Sequence, residues 1–164
     1  MGVSVLFVCL GNICRSPTAE VVFRERVKAA GLEDRIRIDS VGTGDWHIGK
    51  APDPRTQEAA LRRGYPMADL RARQVSPADF ADFDWVLAMD DANLADLKAM
   101  RPASYQGTLA RFLDYAQHTS VREVPCPFYT SDAADEEARV ERAVRRCIHK
   151  SRLLSRPYHH FTSC

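Results

Sequence analysis

Hydrophobic residues fall into two kinds of pattern along this chain, short runs of neighbouring apolar residues and longer stretches with apolar residues at helical spacing. The apolar runs at residues 3–8, where Ser4 is the one polar residue, and at residues 85–89 predict two fully buried β-strands. Residues 35–44 alternate between apolar and polar before ending in glycines, which predicts a third strand, and residues 108–113 predict a fourth. After the first strand, apolar positions at helical spacing predict a helix that Gly31 ends: Ala19, Val22, Phe23, Val27 and Ala30.

Polar residues mark where three further helices are predicted to begin. Asp53, followed directly by a proline, predicts a helix N-cap, and Gly64 predicts the end of that helix. Ser76 is predicted to cap a short helix that carries Asp79 in its first turn. Asp90 follows a predicted strand, and we expect it to act only as the N-cap of the next helix.

The predicted strands and helices alternate from one end of the chain to the other. This order is typical of an α/β fold in which a parallel sheet is covered by helices on both faces. Apolar positions after residue 135 predict a last helix that ends near residue 151. Because no linker or internal repeat divides the chain, we expect a single domain over residues 1–151, followed by an irregular C-terminal tail at residues 152–164.

Composition and charge exclude several classes of function. The 164 residues carry a net charge of +1, which gives no electrostatic reason to expect nucleic acid or an acidic membrane as a partner. The first apolar run is too short for a membrane span. Five unevenly spaced cysteines predict reduced thiols and a cytoplasmic location. Since the sequence has no C-x-x-C pair and no histidine cluster, we expect no metal and no cofactor.

The densest chemistry lies in residues 8–17, VCLGNICRSP, directly after the first predicted strand. In an open α/β fold, ligands bind at the carboxyl ends of strands beside helix N-termini, where backbone N–H groups can form a nest for an anion. Gly11 and Asn12 tolerate the backbone angles of such a curled loop. Arg15 offers a bidentate fork to phosphate-like oxygens. Cys9, near this arginine and a helix N-terminus, is expected to be a thiolate nucleophile.

The stretch VLFVCLGNICRSPTAE, with its C-x5-R-[ST] pattern, resembles the phosphate loop of the low-molecular-weight protein tyrosine phosphatases. Three later segments, SVGTGDWHIGKAPDPR, RARQV and VLAMDDANL, are similar to the same family. The resemblance runs from about residue 3 to residue 132 and is highly specific. It implies a flavodoxin-like domain with a four-stranded parallel sheet in the order 2-1-3-4. It also implies hydrolysis of phosphotyrosine proteins or small aryl phosphates.

The resemblance further implies roles for individual residues of the loop. Cys9 would attack phosphorus to form a cysteinyl-phosphate, and Arg15 would bind the transition state. Ser16 would stabilise the thiolate as it leaves. The rest of the loop would bind inorganic phosphate or other oxyanions: Leu10, Gly11, Asn12, Ile13 and Cys14.

Residues outside the loop are also assigned by the resemblance. Ser40 is the expected hydrogen-bond partner of Asn12, which would hold the shape of the loop. Trp46 and Tyr129 would line an aromatic slot that favours phosphotyrosine, although Trp46 also suits a place in the core. Leu70 stands where many relatives have histidine. Because leucine cannot form hydrogen bonds, this difference would remove a member of a hydrogen-bond network behind the loop.

One position departs from the family pattern. The family carries its general acid, an aspartate, in a D-P-[YF]-[YF] segment, and the corresponding segment here reads EVPCPFYTSD, with Cys126 at the acid position. A thiol is a weak hydrogen-bond donor and replaces a carboxylate poorly. Loss of a positioned acid typically costs about 10²–10⁴-fold in rate, so we expect an impaired phosphatase unless Asp132 reaches in.

Two other classes of function stay open at this point. A thiol-based redox enzyme of the arsenate-reductase type has the same fold and loop and resolves its oxidised nucleophile with extra cysteines. Cys126 would suit that role, but the cysteine spacing differs from that group. The second class is a non-catalytic phosphotyrosine-binding module that keeps the loop and has lost turnover.

Overall fold

The chain folds around parallel strands, which are β1 (Val3–Cys9), β2 (Ile36–Gly42), β3 (Trp85–Ala88) and β4 (Thr108–Arg111). They form one sheet in the order β2-β1-β3-β4, so the order inferred from the sequence is confirmed. Residues 2–115 and 121–124 are described by this computed structural model. In the parallel register, Cys9 at the end of β1 lies beside Gly42 at the end of β2.

Helices follow the strands and are α1 (Arg15–Ala29), α2 (Pro54–Arg62), α3 (Asp79–Asp82) and α4 (Asp91–Met100). The predicted caps of α2 and α4 are confirmed, since the Asp53 and Asp90 side chains each accept a backbone N–H from the first helical turn. Gly31 and Gly64 follow the ends of α1 and α2 with φ angles of 67° and 82°. These left-handed conformations suit glycine, as predicted for helix ends.

Strand β1 is buried from Val5 onward and contributes to two apolar clusters, one on each face of the sheet. Val5 and Phe7 belong to the cluster that packs against α1. Leu6 and Val8 belong to the cluster that includes residues of α3 and α4. Because successive residues of a strand point to opposite faces, a central strand that is apolar throughout requires cover on both sides. The predicted arrangement of helices on both faces is therefore confirmed.

The fourth strand is shorter than the sequence predicted. It ends at Arg111, and Phe112–Tyr115 form a 3-10 helix. Phe112 and Leu113 are both buried in the same apolar cluster, which neighbouring residues of a strand cannot achieve because they face opposite ways. The turn places the Phe112 ring edge-on against Phe7, with 5.3 Å between ring centroids.

The start of the short helix α3 also differs from the prediction. Its N-terminal position is Ala78, and no side chain caps it, so the expected cap by the Ser76 hydroxyl is wrong. The Ser76 backbone N–H instead donates to Oδ2 of Asp79 at 2.8 Å. Arg73 binds both oxygens of the same carboxylate. Asp79 therefore ties α3 to the segment before it.

Three sequence expectations concern residues beyond the described ranges. The helix that precedes residue 151, the tail at residues 152–164 and the boundary between them lie outside residues 2–115 and 121–124, and they stay predictions. Within those described ranges, no helix is both long and apolar enough to cross a bilayer.

Candidate active site

Cys9 is the last residue of β1, and its side chain is almost completely buried at the carboxyl end of the sheet. The chain then curls through residues 10–14 before α1 begins at Arg15. Two groups contact the sulfur: Ser16 Oγ lies 3.0 Å from Cys9 Sγ, and the Asn12 backbone N–H donates to it with an N···S distance of 3.3 Å. The Cys9 thiol therefore lies buried at the junction between β1 and α1.

Gly42, at the end of β2, leaves space for the backbone of this loop. A Cβ atom on Gly42 would lie 2.7 Å from the carbonyl oxygen of Leu10 and 3.1 Å from the backbone nitrogen of Asn12. Only glycine allows the loop backbone to pass so close. The next two backbone N–H groups after Gly42 donate to the carbonyls of Cys9 and Leu10, both at 2.9 Å. The first half of the loop is thus fixed against β2.

Asn12 joins the loop to the structure behind it. Its φ angle is 54°, a left-handed conformation that asparagine tolerates better than most residues. Its side-chain nitrogen donates to Ser16 Oγ at 2.9 Å and to Ser40 Oγ at 3.0 Å. Its side-chain oxygen accepts the backbone N–H of Arg73 at 3.0 Å. The amide therefore uses both of its ends to hold the loop.

Arg15 is fixed by a residue to which the sequence analysis gave another role. The Arg15 side chain is 8% exposed, and its Nη1 donates to Asp90 Oδ2 at 2.7 Å and to the Val124 carbonyl at 3.1 Å. The expectation that Asp90 acts only as an N-cap is therefore wrong. No sequence signal indicates this contact, because the two residues are 75 positions apart and come together only where the parallel pairing of β1 with β3 brings the strand ends side by side.

A buried carboxylate behind the loop was also missed by the sequence analysis. Glu20 of α1 is 3% exposed, accepts a hydrogen bond from Ser40 Oγ at 2.6 Å and forms an ion pair with Arg24. Burial raises the pKa of the Glu20 carboxyl above its usual value, against the opposing effects of the Ser40 hydrogen bond and the Arg24 charge. Leu70 packs against the apolar cluster beneath α1.

The loop forms the floor of a cavity of about 470 Å³. Trp46, His47, residues from the start of α4, Glu123 and Val124 also line it. Trp46 is 64% exposed, so the alternative that it belongs to the core is wrong. The loop contributes six lining residues: Cys9, Leu10, Gly11, Ile13, Cys14 and Arg15. Asn12 and Ser16 lie behind them and are buried.

Both described cysteines are free thiols. Cys14 lies with its sulfur 3.1 Å from Thr56 Oγ1, so it also contacts the start of α2. Cys126, Tyr129 and Asp132 lie outside the described residues, and the roles expected for them stay predictions. In the part of the chain that the structure describes, no group of three or more His, Cys, Asp or Glu side chains is placed to hold a metal ion.

A buried thiol at the end of the first strand, at the bottom of a loop that leads into a helix with an arginine, is the arrangement of a cysteine-dependent phosphatase. The family model described as low molecular weight phosphotyrosine protein phosphatase matches residues 4–153. The chain therefore belongs to this family, and the class of enzyme inferred from the sequence, a phosphoric monoester hydrolase, is confirmed.

Individual relatives agree with the family. The chain is 46% identical over 130 residues to the low molecular weight protein-tyrosine-phosphatase YfkJ of Bacillus subtilis, covering 79% of this chain and 83% of that protein. It is 40% identical over 146 residues to the human low molecular weight phosphotyrosine protein phosphatase, covering 88% and 90% of the two chains. The crystal structure of YfkJ matches with a TM-score of 0.85 at 39% identity, covering 96% and 98% of the two chains. The flavodoxin-like fold is confirmed, and neither the redox enzyme nor the binding module is favoured.

Proposed function

We propose that the protein hydrolyses phosphotyrosine and small aryl phosphate monoesters through a cysteinyl-phosphate on Cys9. One observation carries this proposal: Cys9 and Arg15 line the same cavity, and the Cys9 sulfur contacts Ser16 Oγ and the Asn12 N–H. Both contacts suit a sulfur that carries negative charge, because a thiolate accepts hydrogen bonds and cannot donate one.

In the first step the Cys9 thiolate attacks phosphorus. The S–P bond forms as the bond from phosphorus to the aryl oxygen breaks, and the phenolate departs. Arg15 offers its fork to the phosphoryl oxygens, whose charge the site must stabilise in the transition state. Leu10, Gly11, Ile13 and Cys14 line the same cavity as Cys9, which supports a role for this loop in binding these oxygens.

In the second step water attacks the phosphorus of the cysteinyl-phosphate. The S–P bond breaks, inorganic phosphate leaves, and the electron pair returns to the sulfur. Ser16 is positioned to donate a hydrogen bond to this leaving thiolate at 3.0 Å. The Ser16 hydroxyl thus stabilises the Cys9 thiolate both when it is the nucleophile and when it is the leaving group.

The proposed weakness of the site is proton transfer to the departing phenolate. With Cys126 at the acid position of the family, no carboxylate is supplied from that place. Asp90, a carboxylate at the wall of the cavity, is already engaged by Arg15 and by the helix it caps. We therefore propose a phosphatase whose rate depends strongly on how good the leaving group is.

The rim of the cavity supports an aromatic substrate. Trp46 is 64% exposed and Leu10 is 47% exposed, so an apolar surface flanks the entrance. A phenyl ring buried between such groups is stabilised by its contact area. We propose phosphotyrosine in proteins, together with small aryl phosphates, as substrates, and the cytoplasm as the compartment in which the Cys9 thiol stays reduced.

A comparison of two serine variants tests the role of Cys9. Cys9→Ser is expected to abolish hydrolysis of nitrophenyl phosphate while inorganic phosphate still binds, because the loop and Arg15 remain. Cys14→Ser is the matched control: it keeps the Cys9 thiol and the backbone N–H groups of the loop, so it should retain turnover. Phosphate binding is measured by calorimetry. Turnover by Cys9→Ser comparable to that of the parent enzyme would contradict the proposal.

A further inference from the structure

The benzene part of the Trp46 indole occupies the space that a side chain at position 44 would fill. A Cβ atom on Gly44 would lie 1.8 Å from Cζ3 of Trp46, 2.2 Å from Cε3 and 2.8 Å from Cη2. Non-bonded carbon atoms pack at about 3.5–4.0 Å, so the ring can take this position only because residue 44 is glycine. The position of the indole therefore depends on a residue two places before it in the chain.

Gly44 is itself attached to the phosphate loop. Its backbone N–H donates to the Leu10 carbonyl at 2.9 Å, and the N–H of Thr43 donates to the Cys9 carbonyl at the same distance. The indole thus rests on a piece of backbone that two hydrogen bonds hold against the loop. Since Trp46 lines the cavity that also contains Cys9, the ring is presented to a substrate at a place that the loop sets.

Gly44 and Gly42 differ in the atoms that an added side chain would meet. At Gly42 the three nearest atoms belong to the backbone of the loop, which cannot move without changing the phosphate site. At Gly44 all three belong to the ring of Trp46, the far end of a side chain that is 64% exposed. A methyl group at position 44 would therefore push the indole into solvent and leave the backbone of the loop in place.

We propose that Gly44 is a positioning residue for the aryl group of the substrate, because its lack of a side chain lets the Trp46 indole rest against the backbone beside the cavity. This inference rests on the proposed function, which places an aryl phosphate over Cys9. Aromatic rings prefer offset or edge-on contacts, so the strength of the contact depends on where the indole lies. Gly44 is not a catalytic residue, because it contacts the indole and not the reacting atoms.

Two phosphonates separate the ring contact from the phosphate site. Phenylphosphonate and methylphosphonate present the same anionic group, have no ester bond to hydrolyse and differ in the ring alone. Calorimetry on the full-length protein gives the Kd of each. Gly44→Ala is expected to weaken phenylphosphonate binding about 2- to 10-fold, the range that corresponds to one aromatic contact. Methylphosphonate should bind as it does to the parent, because the loop and its arginine are unchanged.

Gly49→Ala is the matched control. Gly49 lies three residues after Trp46, and an added Cβ there meets no atom within 4 Å. Because its φ angle is 81°, alanine strains the backbone at this position without touching the indole. Gly49→Ala should therefore bind both phosphonates like the parent. Equal weakening of phenylphosphonate by Gly49→Ala and Gly44→Ala would overturn the proposal, since a general disturbance of this segment would then explain the loss.

Tryptophan fluorescence reports the position of the indole directly. The chain has two tryptophans, so Trp85→Phe leaves Trp46 as the only one and keeps an aromatic ring beside Tyr115. In this background Gly44→Ala should increase the quenching of Trp46 by acrylamide, because the displaced ring is more exposed. A folded Gly44→Ala protein in which either the quenching or the affinity for phenylphosphonate equals the parental value would overturn the proposal.

A double variant keeps the test decisive if Gly44→Ala does not fold. Combining Gly44→Ala with Trp46→Ala removes the ring that the new methyl group would meet. If Gly44 acts through the indole, the double variant should bind phenylphosphonate like Trp46→Ala alone, and any further weakening would overturn the proposal. A protein that shows the expected affinities but hydrolyses no aryl phosphate would contradict the proposed function while supporting this inference.

Discussion

Asp90 divides its two carboxylate oxygens between a helix and the arginine of the phosphate loop. Its Oδ1 accepts the Asn93 backbone N–H at 2.7 Å, which caps α4, and its Oδ2 accepts Arg15 Nη1 at 2.7 Å. The ion pair is mostly shielded from solvent, with the two side chains 8% and 20% exposed. The orientation of Arg15 in the cavity is therefore set by the N-cap residue of α4, the helix that follows the neighbouring strand β3.

Substitutions at Asp90 separate these two roles. Asp90→Ser should keep the helix cap, because serine is a good N-cap, but its short side chain should no longer hold Arg15. We expect kcat on nitrophenyl phosphate to fall about 10-fold, since a hydrogen bond between charged groups is lost. Phosphate affinity should change less, because removal of a negative charge from the cavity wall favours an anion.

Steady-state kinetics and calorimetry with phosphate check this prediction. Asp91→Asn is the matched control: Asp91 is the adjacent acid, and its side chain pairs with Arg111 at 2.8 Å instead of with Arg15. An Asp90→Ser enzyme with unchanged kcat would show that Arg15 does not need this partner.

The missing acid predicts a characteristic dependence on the leaving group. Nitrophenolate departs without a proton, whereas the phenolate of tyrosine, with a pKa of about 10, needs one. Cys126→Asp should therefore raise kcat on a phosphotyrosine peptide by about 10²-fold or more, and should raise kcat on nitrophenyl phosphate much less. Parallel rate measurements on the two substrates check the difference.

If Cys126→Asp leaves both rates unaltered, another acid already serves the site. Glu123 is one such group, since it lines the cavity and its carboxylate accepts the Asp91 backbone N–H at 2.9 Å. Asp132 is the other, as the sequence suggested. Glu123→Gln and Asp132→Asn, compared on the phosphotyrosine peptide, then show which one acts.

Gly42 is expected to be intolerant of any side chain. The Cβ of Gly42→Ala would lie 2.7 Å from the Leu10 carbonyl oxygen, so the loop backbone must move away from β2. We expect a loss of about 1–3 kcal/mol in the free energy of unfolding, the usual range for overpacking, together with weaker phosphate binding.

Gly64→Ala separates the two effects of the Gly42 substitution. Gly64 has a φ of 82° with no neighbouring atom within 4 Å of an added Cβ, so this variant strains the backbone away from the loop. It should lower the free energy of unfolding, measured by urea denaturation, while phosphate affinity stays at the parent value. A Gly42→Ala protein with parental affinity would mean that the loop tolerates the shift.

Glu20 predicts a pH dependence of stability with a definite sign. Since burial raises the pKa of the folded Glu20 carboxyl above its value of 4.5, the folded state favours the protonated acid. This contribution is fully present below 4.5 and is lost as the pH rises through the folded pKa. The Tm of Glu20→Gln, taken relative to the parent, should therefore increase between pH 4.5 and pH 8. A constant difference across this range would contradict the prediction.

The sequence by itself determined the sheet and the position of the nucleophile. The apolar, β-branched run before Cys9 predicts a buried strand, and a central parallel strand places its carboxyl end where ligands bind. Cys9, Gly11 and Arg15 are close in sequence, so the loop that contains them is a local structure. The cap of α2 by Asp53 could also be predicted from the sequence, because the cap and its helix are adjacent in the chain.

Only the tertiary structure decided which distant side chains hold that loop. Asp90 reaches Arg15 because β3 pairs with β1, and Ser40 reaches both Asn12 and Glu20 because β2 pairs with β1 on the other side. Hydrophobic periodicity reports which face of an element is buried, but it does not report which polar groups meet across the sheet. An aspartate at a helix start has the same sequence signal whether or not an arginine lies beside it. The pairing of β3 with β1 decides that Arg15 lies beside Asp90.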